Sequence, residues 1–192
     1  MRFPALFGLL AVSATLTACT PQTAEPVDPF AGIPNVQFLY HDVGGTSARE
    51  IRRAINAGRR AGLGTTAPFD ASTSWRFKWQ WPVDRKTGTC DLANTAVTFS
   101  AKVRLPRLAD PERLGSAARA RWERYYAALL AHEAGHARYP YAHRGELLAA
   151  IKGSDCAHAS EAAKAVLARF TDRDHAYDAE TRHGATQGAT FP

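Results

Sequence analysis

His132, Glu133 and His136 stand within the segment "LAHEAGHARY" (130–139), and their types and spacing could bind a divalent metal and use it. Successive residues of an α-helix turn by about 100°, so side chains four apart diverge by only about 40°. The imidazoles of His132 and His136 can therefore converge on one ion without bending the backbone. Glu133 lies about 100° from one and about 60° from the other, close enough to reach a water on that ion without binding the ion itself. This is the H-E-x-x-H arrangement, in which zinc activates a water and the carboxylate moves its proton to a departing amine. The surroundings favour a site over a solvated helix face. Leu129, Leu130 and Ala131 precede the motif, and Ala134, Gly135 and Ala137 are small. Buried imidazoles need partners, and Gly135 in a helix costs up to about 1 kcal/mol relative to Ala, so it makes room for something.

Such a site needs a third protein ligand. A third His six residues after the second would complete the metzincin pattern, but that slot is Ala142 and the intervening Gly slot is Tyr139. His143 follows Pro140, which is expected to end the helix. Glu161 is a weak candidate, and His158 and His175 read as surface residues. The C-terminal "YDAETRHGATQG" is the better source. His183, followed by Gly184, is the expected third ligand, with Asp178 or Glu180 next. Asp178, Thr181 and Gln187 offer hydrogen bonds that would orient an imidazole. Tyr177 is a candidate catalytic group, steadying an oxyanion, or else a packed core residue.

The elements that must position these groups change character midway. "NVQFLYHDV" reads as a strand, and "TSAREIRRAINAGRRAG" as a helix capped by Thr46 or Ser47 with Ile51 and Ile55 on one face. "STSWRFKWQW" places Trp75, Phe77, Trp79 and Trp81 on one side, and "NTAVTFSAKVRLP" does the same with Val97, Phe99, Ala101, Val103 and Leu105. The two strands are expected to form an antiparallel hairpin. Helical periods follow over about 110–138, 143–152 and 155–170, and the sequence then closes on a glycine-rich, aperiodic stretch. The expected class is α+β, a small antiparallel sheet followed by a helical half that carries the two histidines.

The chain has 192 residues, 45% hydrophobic and 22% charged, which suits one globular domain. Its net charge of +6 is spread among scattered arginines, with no basic stripe interleaved with aromatics, so no nucleic-acid partner is expected. The first 19 residues, "MRFPALFGLLAVSATLTAC", read as a secretory signal ending in a lipobox, Leu16-Thr17-Ala18-Cys19. Acylated Cys19 would anchor the chain, and Thr20 after it suggests the outer membrane, facing the periplasm. Ordinary cleavage to a free secreted protein is the alternative. Residues 20–34, with four prolines, are expected to be a tether, and 35–192 the domain. Cys90 and Cys156 then remain as a pair, expected to form a disulfide in an oxidising compartment.

The strand "WRFKW", the segment "CDLANTAVTFSAKVRLPR", the helix "WERYYAALLAHEAGH" and the closing "YDAETRHGATQGATFP" resemble a bacterial family of predicted secreted zinc-dependent proteases, carried as a domain of unknown function. The resemblance implies a zincin-like fold, a Zn2+ cofactor, His132 and His136 as ligands, Glu133 as the catalytic residue and His183 as the third ligand. The expected function is a zinc metallopeptidase of the cell envelope acting on peptide or protein substrates. A substrate could add as a strand near Val36–Tyr40 or Thr95–Leu105. The alternatives are a zinc-binding envelope lipoprotein without turnover and an envelope interaction protein without metal.

Overall fold

A computed structural model describes residues 27–60 and 69–192. The signal sequence and Cys19 lie outside the described residues. Within the segment expected to be a tether, Phe30 and Ile33 are buried and Phe30 packs edge-on against Phe38, so packing begins upstream of Asn35.

The fold is α+β. Strand β1 (Val36–Val43) leads to helix α1 (Ala48–Arg60), followed by β2 (Ser72–Gln80), β3 (Ala96–Leu108), α2 (Ser116–Ala142), α3 (Arg144–Lys152) and α4 (Ala159–Thr181). Helix α1 opens with a reciprocal cap. The Ser47 hydroxyl faces the Glu50 N–H at 3.4 Å, and Glu50 accepts from the Thr46 N–H at 2.8 Å.

The sheet order is β1-β3-β2. β2 and β3 form the expected antiparallel hairpin, with Phe77 opposite Phe99. β1 is a correction to the expected all-antiparallel sheet, since it runs parallel to β3 from Val36↔Ala101 to Val43↔Leu108, and the sheet is mixed. Alternating side chains mark a strand but do not choose its partner or direction. β3 is thus the central strand, paired on both edges from Ala101 to Arg104, whereas Ala96–Ser100 pairs with β2 alone.

The inner face of the hairpin carries the aromatic residues read from the alternation. Phe77 packs on Phe99 at 5.1 Å between ring centroids and on Phe170 of α4 at 6.2 Å, and Phe99 meets Tyr141 of α2 at 5.4 Å. Burial of these rings fastens α2 and α4 to the sheet, each ring removing a large apolar area from water. Helix α2 does not stop at Pro140. It continues to Ala142 with Pro140 buried, while His143 forms the cap. Helix α4 likewise runs eleven residues beyond the expected end at Phe170, to Thr181, so "HAYDAET" is helical rather than aperiodic.

The Cys90–Cys156 disulfide is present, with Cα atoms 5.8 Å apart, and it ties the β2–β3 connection to the α3–α4 connection. No described helix is long and apolar enough to cross a membrane.

Candidate metal centre

The centre lies where α2 faces the last two turns of α4. On α2, His132, Glu133 and His136 are all buried, at 4%, 3% and 7% exposure. On α4, Asp174, Tyr177, Asp178 and Thr181 recur at helical spacing and present one face to them.

Three donor atoms converge. His132 Nε2 and His136 Nε2 are 3.2 Å apart, and Asp178 Oδ1 is 3.3 Å from the first and 3.2 Å from the second. His132, His136 and Asp178 are also the trio whose ligand atoms could share one ion. With bonds of about 2.0–2.1 Å, a tetrahedral zinc site has edges of about 3.3–3.4 Å between ligands. The observed triangle therefore matches one face of such a tetrahedron.

The far nitrogens of both rings are held. His132 Nδ1 lies 2.9 Å from Gln187 Oε1, and His136 Nδ1 lies 2.7 Å from Asp174 Oδ1. Both partners accept, so each Nδ1 donates and each neutral ring keeps its lone pair on Nε2, aimed at the shared point. Three acceptors so close repel unless a cation, a metal ion or a proton, joins them. Burial, with His136 beside it, lowers the pKa of His132. For His136 burial also opposes the charged form, but the hydrogen bond and charge of Asp174 outweigh it and the pKa is raised.

Glu133 is positioned from the sheet. The Thr73 hydroxyl, at the start of β2, lies 2.7 Å from Glu133 Oε2 and 3.1 Å from its main-chain oxygen. Burial pushes the Glu133 carboxyl up to about 7 against the pull of the Thr73 hydrogen bond. The charges of His136, Asp174 and Asp178 also act on it.

Tyr177 lies flat on His132, with centroids 5.1 Å apart and planes at 17°, and edge-on to His136. Its hydroxyl accepts from Gln187 Nε2 at 3.1 Å. Gly135 is the residue that admits it. A Cβ there would collide with the Tyr177 hydroxyl and meet its ring carbons at 2.6 and 2.8 Å, which explains the helical glycine.

His183, the expected third ligand, sits outside the trio. Its side chain is 52% exposed, Nδ1 is 3.4 Å from Asp178 Oδ2, and its ring stacks on Phe69 at 4.5 Å. Arg182, His183 and Gly184 all have positive φ, at 51°, 52° and 78°. This left-handed run ends α4 and turns the chain back toward α2. At Gly184 the turn needs glycine twice over, since a Cβ would come within 2.9 Å of the His132 ring. Glu180 pairs with Arg173 on the surface, away from the trio. Glu161 pairs with Lys164 and His158 with Asp155, both exposed.

Sequence reasoning missed Thr73 and Asp174 as supporting groups. For Thr73 no local signal exists, because its partner is 60 residues away. For Asp174 the signal was its four-residue spacing from Asp178.

No curated protein and no solved structure matches the chain. A family model does, over residues 38–184, a span that takes in both strands of the hairpin, the trio and Glu133. The chain thus belongs to the family described as bacterial protein of unknown function (DUF922).

Proposed function

We propose that this protein is a zinc-dependent peptide hydrolase of the bacterial cell envelope. The observation that carries the reading is the triangle of His132 Nε2, His136 Nε2 and Asp178 Oδ1, with sides of 3.2–3.3 Å. Two imidazoles and one carboxylate suit zinc, and three protein ligands leave the open position that hydrolysis requires. The zincin-like reading rests on the same helix-borne pair, with Asp178 in the place that the sequence first gave to His183.

Zinc held there would lower the pKa of water to about 7 and draw electron density from the scissile carbonyl. The remaining chemistry falls to this chain's own residues. Glu133 accepts one proton from the attacking water, whose oxygen forms a bond to the carbonyl carbon. The C–N bond then breaks, and Glu133 returns the proton to the departing nitrogen, leaving a carboxylic acid and an amine. Thr73 keeps the carboxylate aimed, and its grip also sets β2 beside the reacting groups. The outer edge of β2 pairs with no strand among the described residues. An extended peptide can add there by main-chain hydrogen bonds, which supports a polypeptide substrate. Tyr177 stacks on His132 and orients it, and because its hydroxyl accepts from Gln187 Nε2 its own proton stays available to a developing oxyanion. The lipobox at Cys19 supports attachment to the outer membrane, facing the periplasm.

Metal analysis of the purified protein, together with peptide cleavage by the parent and by Glu133→Gln, tests this reading. The expected result is one zinc per chain in both, with cleavage in the parent alone. Stoichiometric zinc with no cleavage by the parent would favour a zinc-binding lipoprotein without turnover. Absence of tight metal binding by the folded parent would overturn the proposal.

A further inference from the structure

The C-terminal segment after α4 lies along the ligand-bearing helix and touches it once per turn. The backbone of Gly184 packs against the His132 ring, Gly188 faces Ala128, and Phe191 packs on Tyr125 and Trp122. Positions 132, 128, 125 and 122 are spaced by three and four residues, so all four contacts fall on one stripe of α2. The segment is stiffened internally by hydrogen bonds from the Gln187 and Ala189 N–H groups to the Gly184 carbonyl, both 3.0 Å. Between the two ends stands Gln187, whose Oε1 holds His132 Nδ1 at 2.9 Å.

We infer that Phe191 is a positioning residue for the metal centre, acting through Gln187 on His132. The inference rests on the metal-centre reading above. Phe191 is 1% exposed. Its ring is enclosed by Tyr125 at 5.3 Å, Trp122 at 5.9 Å and the Arg52 guanidinium at 5.7 Å. An aromatic ring in such a cage has few alternative seats, so it fixes how far the segment slides along α2. Four residues upstream, the same register decides whether the Gln187 carbonyl meets Nδ1. A ring whose Nδ1 proton is held presents Nε2 in one orientation; a released ring can rotate or change tautomer, and the ligand is lost for part of the time. Tyr177 shares the dependence, since its hydroxyl accepts from the same amide.

The test is a double-mutant cycle on zinc affinity, read by competition with a chromophoric chelator and requiring no substrate. Gln187→Ala should weaken zinc about 10- to 100-fold, the range for groups that orient a ligand. Phe191→Ala should weaken it about tenfold, and the double variant should bind no more weakly than Gln187→Ala alone. Phe191→Leu, which keeps apolar bulk in the cage, should recover most of the affinity. A merely structural role would lower the unfolding midpoint of the metal-free protein in both backgrounds and leave the zinc affinity of the folded fraction unmoved. If Phe191→Ala fails to fold, Gly188→Ala takes its place in the cycle, because Ala at φ +88° strains the same turn without removing an aromatic.

Parent-like zinc affinity in the single tail variant, or losses that simply add, would overturn this inference while leaving the metal centre standing. A parent that binds no zinc would overturn the metal centre and the inference with it.

Discussion

Replacing Gly135 by Ala should destabilise the protein, although helix propensity alone predicts the opposite. In an exposed helix interior the change gains about 1 kcal/mol, which in a chain of this size raises the melting temperature by about 2–4 °C. Here the new methyl carbon would collide with the Tyr177 hydroxyl and stand 2.6 Å from its Cζ, where ordinary contact begins near 3.4 Å. The ring must therefore retreat by about 1 Å. It cannot swing freely, because it is stacked on His132 and edge-on to His136. Overpacking of this kind costs about 1–3 kcal/mol, so the clash outweighs the propensity gain and the net loss is about 1 kcal/mol. Urea and thermal unfolding of the metal-free protein measure it. In a Tyr177→Ala background the obstacle is gone, and Gly135→Ala should then stabilise the protein by about 1 kcal/mol. A Gly135→Ala variant that melts above the parent would refute the wedge, and with it the explanation of the glycine.

The other expectations concern ligands, protons and the crosslink. Asp178→Ala should weaken zinc by more than about 100-fold, whereas His183→Ala, removing only a neighbour of Asp178, should cost about tenfold or less in the same chelator competition. The reverse order would return the third ligand to His183. Burial, with the charge of Asp70 beside it, holds the Tyr125 phenol protonated well above its usual 10.0. Above about pH 10 the unfolded chain sheds that proton and the folded one keeps it, so stability should fall by up to about 1.4 kcal/mol per pH unit. Urea midpoints between about pH 9 and pH 11 should show a shallower slope for Tyr125→Phe; equal slopes would sink the assignment. The Cys90–Cys156 bond spans a separation of 66 residues, and its reduction should cost about 4 kcal/mol through the enlarged unfolded ensemble. An unchanged urea midpoint in reductant would contradict this.

Local chemistry was legible in the sequence wherever a single element contains it. The four-residue spacing of His132 and His136 needs only a helix, and the alternation of Trp75 to Trp81 against Val97 to Leu105 needs only a hairpin turn. Gly135 announced that something must fit beside it, though not that Tyr177 would. The difficulties came from contacts between distant elements. The polar run from Asp172 to Glu180 resembles a loop until one sees that Asp174, Tyr177, Asp178 and Thr181 are spaced to face α2. Reading it as aperiodic drew attention to His183, which lies outside the trio, although the loop expected to fold back over the helix does so, with Gly184 in close contact with His132. Pro140 misled in the same way. Proline removes one helical hydrogen bond, but a buried ring near the helix end, with Tyr141 packed on Phe99, compensates for that loss.

The parallel pairing of β1 with β3 has a consequence for how the chain acquires its shape. Val36 finds its partner only at Ala101, 65 positions later. In a chain that emerges N-terminus first, β1 stays unpaired until Ala101 follows and the long intervening loop closes. During this interval Phe38 and Tyr40 have no sheet to lie on, and the strand is a candidate for capture by chaperones or by its neighbours. Maturation is therefore paced by long-range closure rather than by the helices, whose own turns form within microseconds.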